Sequence, residues 1–142
     1  MELRFNLRAD IDAIAPIVHR VTELAQQMKC VPGREMQIAL ALQEALANAV
    51  IHGAKNDNSR TVECWVSSLE DAVGAKPHEL LIVIRDFGEG FDPAAVPSPK
   101  AGENLRADHG RGLYLIRELM DEVTFAGNGS ELRMRAVLSA LR

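Results

Sequence analysis

Glu44, Asn48 and His52 recur at four-residue intervals in Gln43-Glu44-Ala45-Leu46-Ala47-Asn48-Ala49-Val50-Ile51-His52-Gly53. A four-residue step drifts only about 40° around a helix, so the three project from nearly one side, beside an apolar stripe. A carboxylate and an amide oxygen one turn apart can take a proton and hold a hard cation at the same time. Downstream, Asp86-Phe87-Gly88-Glu89-Gly90 follows the apolar run Leu80-Leu81-Ile82-Val83-Ile84. An acid at the end of a buried strand is a fixed acceptor for the exocyclic amine of a base, and Gly88 and Gly90 let a ligand approach the backbone. His109-Gly110-Arg111-Gly112-Leu113 opens the last predicted helix. Free N–H groups and the positive end of a helix dipole favour a phosphate there, with Arg111 adding charge. Taken singly, each segment has a plain structural explanation: a solvated helix edge, a strand end with a turn, a loop-to-helix junction. The last is not a GxGxxG, because Leu115 takes the third position. His19, beside Val18, reads as a surface histidine.

The elements that carry these residues follow from hydrophobic spacing. Residues 2–7 alternate polar and apolar, which predicts a half-buried strand. Asp10 caps a helix reaching about Lys29, with Ile14, Ile17, Val21, Leu24 and Met28 at helical spacing; Pro16 requires that the helix start near it or kink there. Pro32 and Gly33 break the chain. A second helix over 34–51 buries Ile38, Leu42, Ala45, Leu46 and Ala49, and Gly53 is expected to end it in a left-handed cap. Strands are predicted over 61–67 and 79–85, joined by a connection at 71–78, and a long Gly- and Pro-rich loop runs from Asp86 to about His109. A helix over 110–120 and strands over 123–125 and 132–138, around Gly127-Asn128-Gly129, complete the chain. The order β-α-α-β-β-loop-α-β-β predicts one α+β domain over 1–142: a two-layer sandwich whose mixed, mostly antiparallel sheet carries three helices on one face.

Composition narrows the function. The 142 residues are 47% hydrophobic but only 4% aromatic, which builds one aliphatic core. A net charge of −4 with one Trp and one Tyr argues against both electrostatic nucleic-acid binding and a base-stacking platform. Cys30 and Cys64 form no CxxC pair, so free thiols in a reducing cytosol are expected rather than a zinc site or redox motif. No run approaches the roughly 20 apolar residues of a membrane span. A soluble, cytoplasmic protein is expected.

The three motifs occur in a fixed order, each in the structural context its chemistry needs. In this the chain resembles the GHKL ATPases, the superfamily of gyrases, heat-shock chaperones, histidine kinases and mismatch-repair proteins. Residues 44–53 look like its N box, 86–90 like its first glycine box and 109–113 like its second. Within the superfamily the chain is most similar to the anti-sigma-factor serine kinases of bacterial stress and sporulation control. Glu44 accompanies Asn48, the N box ends in His52-Gly53, and the second glycine box runs on through Leu113-Tyr114-Leu115-Ile116-Arg117-Glu118-Leu119-Met120. The resemblance implies a Bergerat ATP-binding fold using ATP and Mg²⁺. It implies Glu44 as general base, Asn48 as magnesium ligand and Asp86 as adenine acceptor. His52, Gly88, Gly90, His109, Gly110, Arg111, Gly112 and Leu113 belong to the segments that hold the nucleotide, with Lys100, Arg106 and Arg111 as candidates to neutralise phosphate charge. The implied substrate is a serine or threonine on a small STAS-domain antagonist, with a sigma factor as a possible client and a homodimer as the working form. A non-catalytic ATP-sensing module and the catalytic half of a split histidine kinase are the alternatives. A eukaryotic-type protein kinase is excluded because the chain has no H-R-D loop and no V-A-I-K strand.

Overall fold

Alternation along the strands decides the architecture. The computed structural model describes residues 2–28, 33–55, 57, 59–70, 77–86, 108–127 and 130–137. Five strands, β1 (Glu2–Arg8), β2 (Thr61–Glu70), β3 (Pro77–Arg85), β4 (Glu122–Ala126) and β5 (Glu131–Val137), form one sheet in the order β1-β2-β3-β5-β4. Every pairing is antiparallel, so the mixed option does not arise among the described strands. Three helices, α1 (Ile14–Met28), α2 (Glu35–Asn48) and α3 (Asp108–Leu119), complete the second layer. β5 sits between β3 and β4, so the chain leaving β3 passes through α3 before returning to the sheet.

Successive strand residues point to opposite faces. Val62, Cys64 and Val66 of β2, Leu80, Ile82 and Ile84 of β3, and Leu132, Met134 and Ala136 of β5 are all buried in one core with Ile38, Leu42 and Leu46 of α2. β3 is the central strand, as its continuous apolar run requires. Cys64 lies in this core, where burial pushes its thiol up to about 12, so it is an inert apolar filler. Cys30 lies outside the described residues. No helix among the described residues is long and apolar enough to cross a membrane.

The opposite face of the sheet is laced by charge. The guanidinium groups of Arg4 and Arg85 lie 5.1 and 5.2 Å from the Trp65 ring centroid. Arg85 and Arg133 donate to the buried Glu131 carboxylate at 2.5 and 3.0 Å, and Arg135 bridges Glu79 and Glu122.

Two boundary details resolve points that periodicity leaves open. Asp10 caps a 3₁₀ turn, Ile11–Ala13, with its carboxylate accepting from the Asp12 N–H, and α1 follows directly. Pro16 therefore stands in the first turn of α1, where a missing N–H costs nothing, and no kink is needed. Gly53 is not the left-handed stop. That conformation falls on Lys55, at φ 55°, and Gly53 is required for another reason, given below.

The Arg85 guanidinium, helped by Arg133 and opposed by burial, holds Glu131 below its ordinary 4.5. A carboxyl depressed in the folded state contributes stability that is present above 4.5 and lost as pH falls through the lowered value. Urea denaturation across that acid range should show a falling midpoint, and Glu131→Gln should flatten the dependence while lowering stability at neutral pH.

Candidate active site

Helix α2 is built to be buried on one side and functional on the next. Ile38, Ala41, Leu42, Ala45 and Leu46 face the core, which turns Glu44 and Asn48 toward the groove beside α3. Beyond Asn48 the helix widens into a π turn, Ala49–Gly53, in which the Ala54 N–H donates to the Ala49 carbonyl at 2.8 Å. Single π turns in helices concentrate at functional sites because they re-aim the residues that follow.

A cleft of about 450 Å³ opens along this edge. Glu44, Asn48 and His52 line it from α2 and its π turn, and Gly112 and Leu115 line it from α3. Ala47 and Ile51 complete the wall. Nothing in their residue types singles out Ala47, Ile51 or Leu115 in the sequence, since apolar residues at helical spacing read as core. Glu44 and Asn48 are half-buried and His52 is exposed. No Lys or Arg is among the described residues lining the cleft.

Two close approaches shape the ends of the site. At the α3 end, a Cβ on Gly112 would lie 2.9 Å from Nδ2 and 3.1 Å from Oδ1 of Asn48, so the α3 backbone packs directly on the Asn48 carboxamide. At the sheet end, a Cβ on Gly53 would overlap the carboxylate of Asp86. This is why residue 53 is glycine. Asp86, buried at the end of β3, tucks its carboxylate against the π turn, and its backbone N–H donates to Ser130 O at 3.1 Å.

The Asn48 Nδ2 atom is buried and has no hydrogen-bond partner among the described residues. An unpaired buried amide costs about 1–3 kcal/mol, so its retention points to a polar partner that arrives with a ligand. The two ends of a carboxamide are interchangeable in such a setting, and the same group can present its oxygen to a hard cation. Among the described residues there is no group of three or more His, Cys, Asp or Glu that could cage a metal. A divalent ion here would therefore rely on Asn48 together with oxygens supplied by a nucleotide, which is how magnesium is ordinarily held beside phosphates. The residues present fit such an ion.

The structure thus brings Glu44, Asn48, His52 and Gly112 to one cleft and sets Asp86 against Gly53, the residue that follows His52. Leu113 is buried and is not among the described residues lining the cleft. α3 begins at Asp108, two residues before the expected start, so His109 is helical together with Gly110, Arg111 and Gly112, which the expected helix already included. Gly88, Gly90, Lys100 and Arg106 lie outside the described residues.

A two-layer α+β domain with this cleft between α2 and α3 matches the histidine kinase-like ATPase domain over residues 7–136, and the chain belongs to that family. It is 39% identical over 93 residues to the serine-protein kinase RsbW of Staphylococcus aureus strain JH9, a match covering 60% of this chain and 54% of that protein. The same kinase from strains Newman and USA300 matches to the same extent. The chain spans about half the length of these curated relatives.

Replacing Gly112 by Ala sets two effects against each other. Helix propensity gains about 1 kcal/mol, while overpacking costs about 1–3 kcal/mol. Stability should fall by up to about 2 kcal/mol, and Asn48 must move. Calorimetry should show Mg-ATP affinity reduced by about tenfold or more, the effect of a 1.4 kcal/mol loss. Gly53→Ala, which meets a buried carboxylate, should lower both stability and affinity.

Proposed function

We propose that this chain is a serine/threonine protein kinase that consumes ATP with Mg²⁺ and phosphorylates a small STAS-domain antagonist protein. In that role it serves as an anti-sigma factor or a similar partner-switching regulator, working as a cytoplasmic homodimer. One observation carries the reading: Glu44 and Asn48 face the same cleft one helical turn apart, with the Asn48 Nδ2 atom buried and without a partner among the described residues. The family membership and the serine-protein kinase relatives support it.

The chemistry follows from the residues. The acceptor hydroxyl oxygen forms a bond to the γ-phosphorus, the bond from that phosphorus to the ADP oxygen breaks, and the hydroxyl proton passes to the Glu44 carboxylate. A base so placed contributes about 10²–10⁴ in rate. Magnesium, when bound, neutralises charge on the phosphate oxygens, and Asn48 is the residue that would hold it. Because no cation lines the described cleft, further charge neutralisation falls to the ion, to the N-terminus of α3 and to Arg111, Lys100 or Arg106. Asp86 accepts from the adenine amine, oriented by its seat against Gly53.

Radiolabelled ATP with candidate STAS-domain proteins tests the whole reading; acid-stable phosphoserine on the partner is the expected product. A partner complex without phosphate transfer would favour a binding module, and acid-labile phosphohistidine would favour a split histidine kinase. Glu44→Ala should keep nucleotide affinity and lose transfer by about 10²–10⁴, and transfer at the wild-type rate would remove Glu44 from the base role. Asn48→Ala should abolish Mg-ATP uptake. Asp86→Asn should weaken ATP more than GTP, and equal losses would count against adenine recognition at this position.

A further inference from the structure

We infer that Arg34 is a positioning residue for the phosphate end of the cleft, acting at a distance through α3. The inference rests on the ATP-binding reading above. Arg34 stands just before α2, and its side chain is 12% exposed. Its guanidinium joins three elements, α2, α3 and β5, and the turn at Asp121 between α3 and β4. Nε donates to Gln37 Oε1 in the first turn of α2 at 3.2 Å. Nη2 donates to the Leu119 carbonyl at the C-terminus of α3 at 2.9 Å. Nη1 donates to Asp121 Oδ2 at 2.5 Å and to the Val137 carbonyl at the end of β5 at 3.2 Å. Asp121 Oδ2 in turn accepts from the Val137 N–H at 2.7 Å, which ties the turn after α3 to the end of β5.

The placement makes this more than a surface ion pair. Arg34 at the start of α2 grips the end of α3, while Asn48 at the end of α2 meets Gly112 near the start of α3. The two helices are therefore antiparallel and touch at both ends. α2 is 14 residues long, about 21 Å, and behaves as a rigid rod over that length. A cation on the last carbonyl of α3 also complements the negative end of its dipole. With α3 held at its far end, the backbone of Gly112 can lie on the Asn48 amide without a side chain between them. Release of that grip lets α3 tilt, and the tilt is felt where α3 meets Asn48. Asp86 is seated otherwise, at the end of β3 with its N–H on the Ser130 carbonyl and its carboxylate against Gly53. Arg34 should thus govern the affinity for phosphates without governing the affinity for adenine.

That separation supplies the test. Mg-ATP binding by calorimetry and adenosine binding by ligand-observed NMR are measured on the wild-type chain, Arg34→Gln, Arg34→Lys and Leu7→Ala. Leu7→Ala removes a buried β1 side chain remote from α3 and is the control for general destabilisation. Arg34→Gln should weaken Mg-ATP by about fivefold or more, the low end of ordinary coupling between separate sites, and leave adenosine within about twofold. Arg34→Lys keeps the charge but not the fork and should fall between wild type and Gln. Leu7→Ala should lower the melting temperature and leave the ratio of the two affinities unchanged. Equal loss of both ligands in Arg34→Gln, or unaltered Mg-ATP affinity in both Arg34 variants, overturns the inference while the ATP reading stands. Failure of the wild-type chain to take up Mg-ATP overturns the ATP reading and the inference with it.

Discussion

The close contact between the backbone of α3 and the carboxamide of Asn48 is the constraint on which the candidate site depends. Helices normally keep their axes 8–10 Å apart because side chains stand between them. Gly112 removes one side chain at the point of contact, and the Asn48 amide fills the space with polar atoms rather than apolar ones. Among the described residues the Asn48 Nδ2 atom is buried and has no hydrogen-bond partner. A protein that tolerates such a cost at one place, in a layer otherwise packed with Ile, Leu and Val, has reserved that place for a partner.

The second close contact divides the site into two mechanically distinct halves. Asp86 extends from the central strand and is fixed by the sheet; its carboxylate rests on the π turn where Gly53 has no side chain. Glu44, Asn48 and Gly112 belong to the helical layer, whose internal geometry is set by helix packing and by the Arg34 network. One ligand spanning both halves would join the sheet to the helices. The π turn lies between the two, and its extra width sets how far the end of α2 stands from Asp86.

Charge is distributed in keeping with this division. Arginines crowd the outer face of the sheet, where Arg4, Arg85, Arg133 and Arg135 satisfy Glu63, Glu131, Glu79 and Glu122. These pairs close a sheet surface that would otherwise leave Trp65 and the β3 side chains to water. None of those cations lines the cleft, so the described part of the site is acidic and amide-bearing.

Much of the fold and part of the site were legible in the residues. The alternation in β2 and β5, the unbroken apolar run of β3 and the helical spacing in α1 and α2 all led to the observed sandwich, because burial acts on periodicity before any tertiary contact exists. The same periodicity put Glu44 and Asn48 on one edge of α2. Pro16 and Gly53 were read less fully. Whether a proline kinks a helix or starts it depends on where the first hydrogen bond forms, and whether a glycine serves a turn or a close approach depends on what lies across from it. Ala47, Ile51 and Leu115 carry no chemical signature, and Arg34 looks like any cation at a helix start. Local sequence alone thus determined the elements, their buried faces and the residue types capable of proton and cation chemistry. Tertiary structure alone decided that Gly112 meets Asn48, that Gly53 meets Asp86 and that Arg34 reaches residues 85 to 103 positions away. Contacts at such separations are set by how whole layers pack, and no local pattern encodes them.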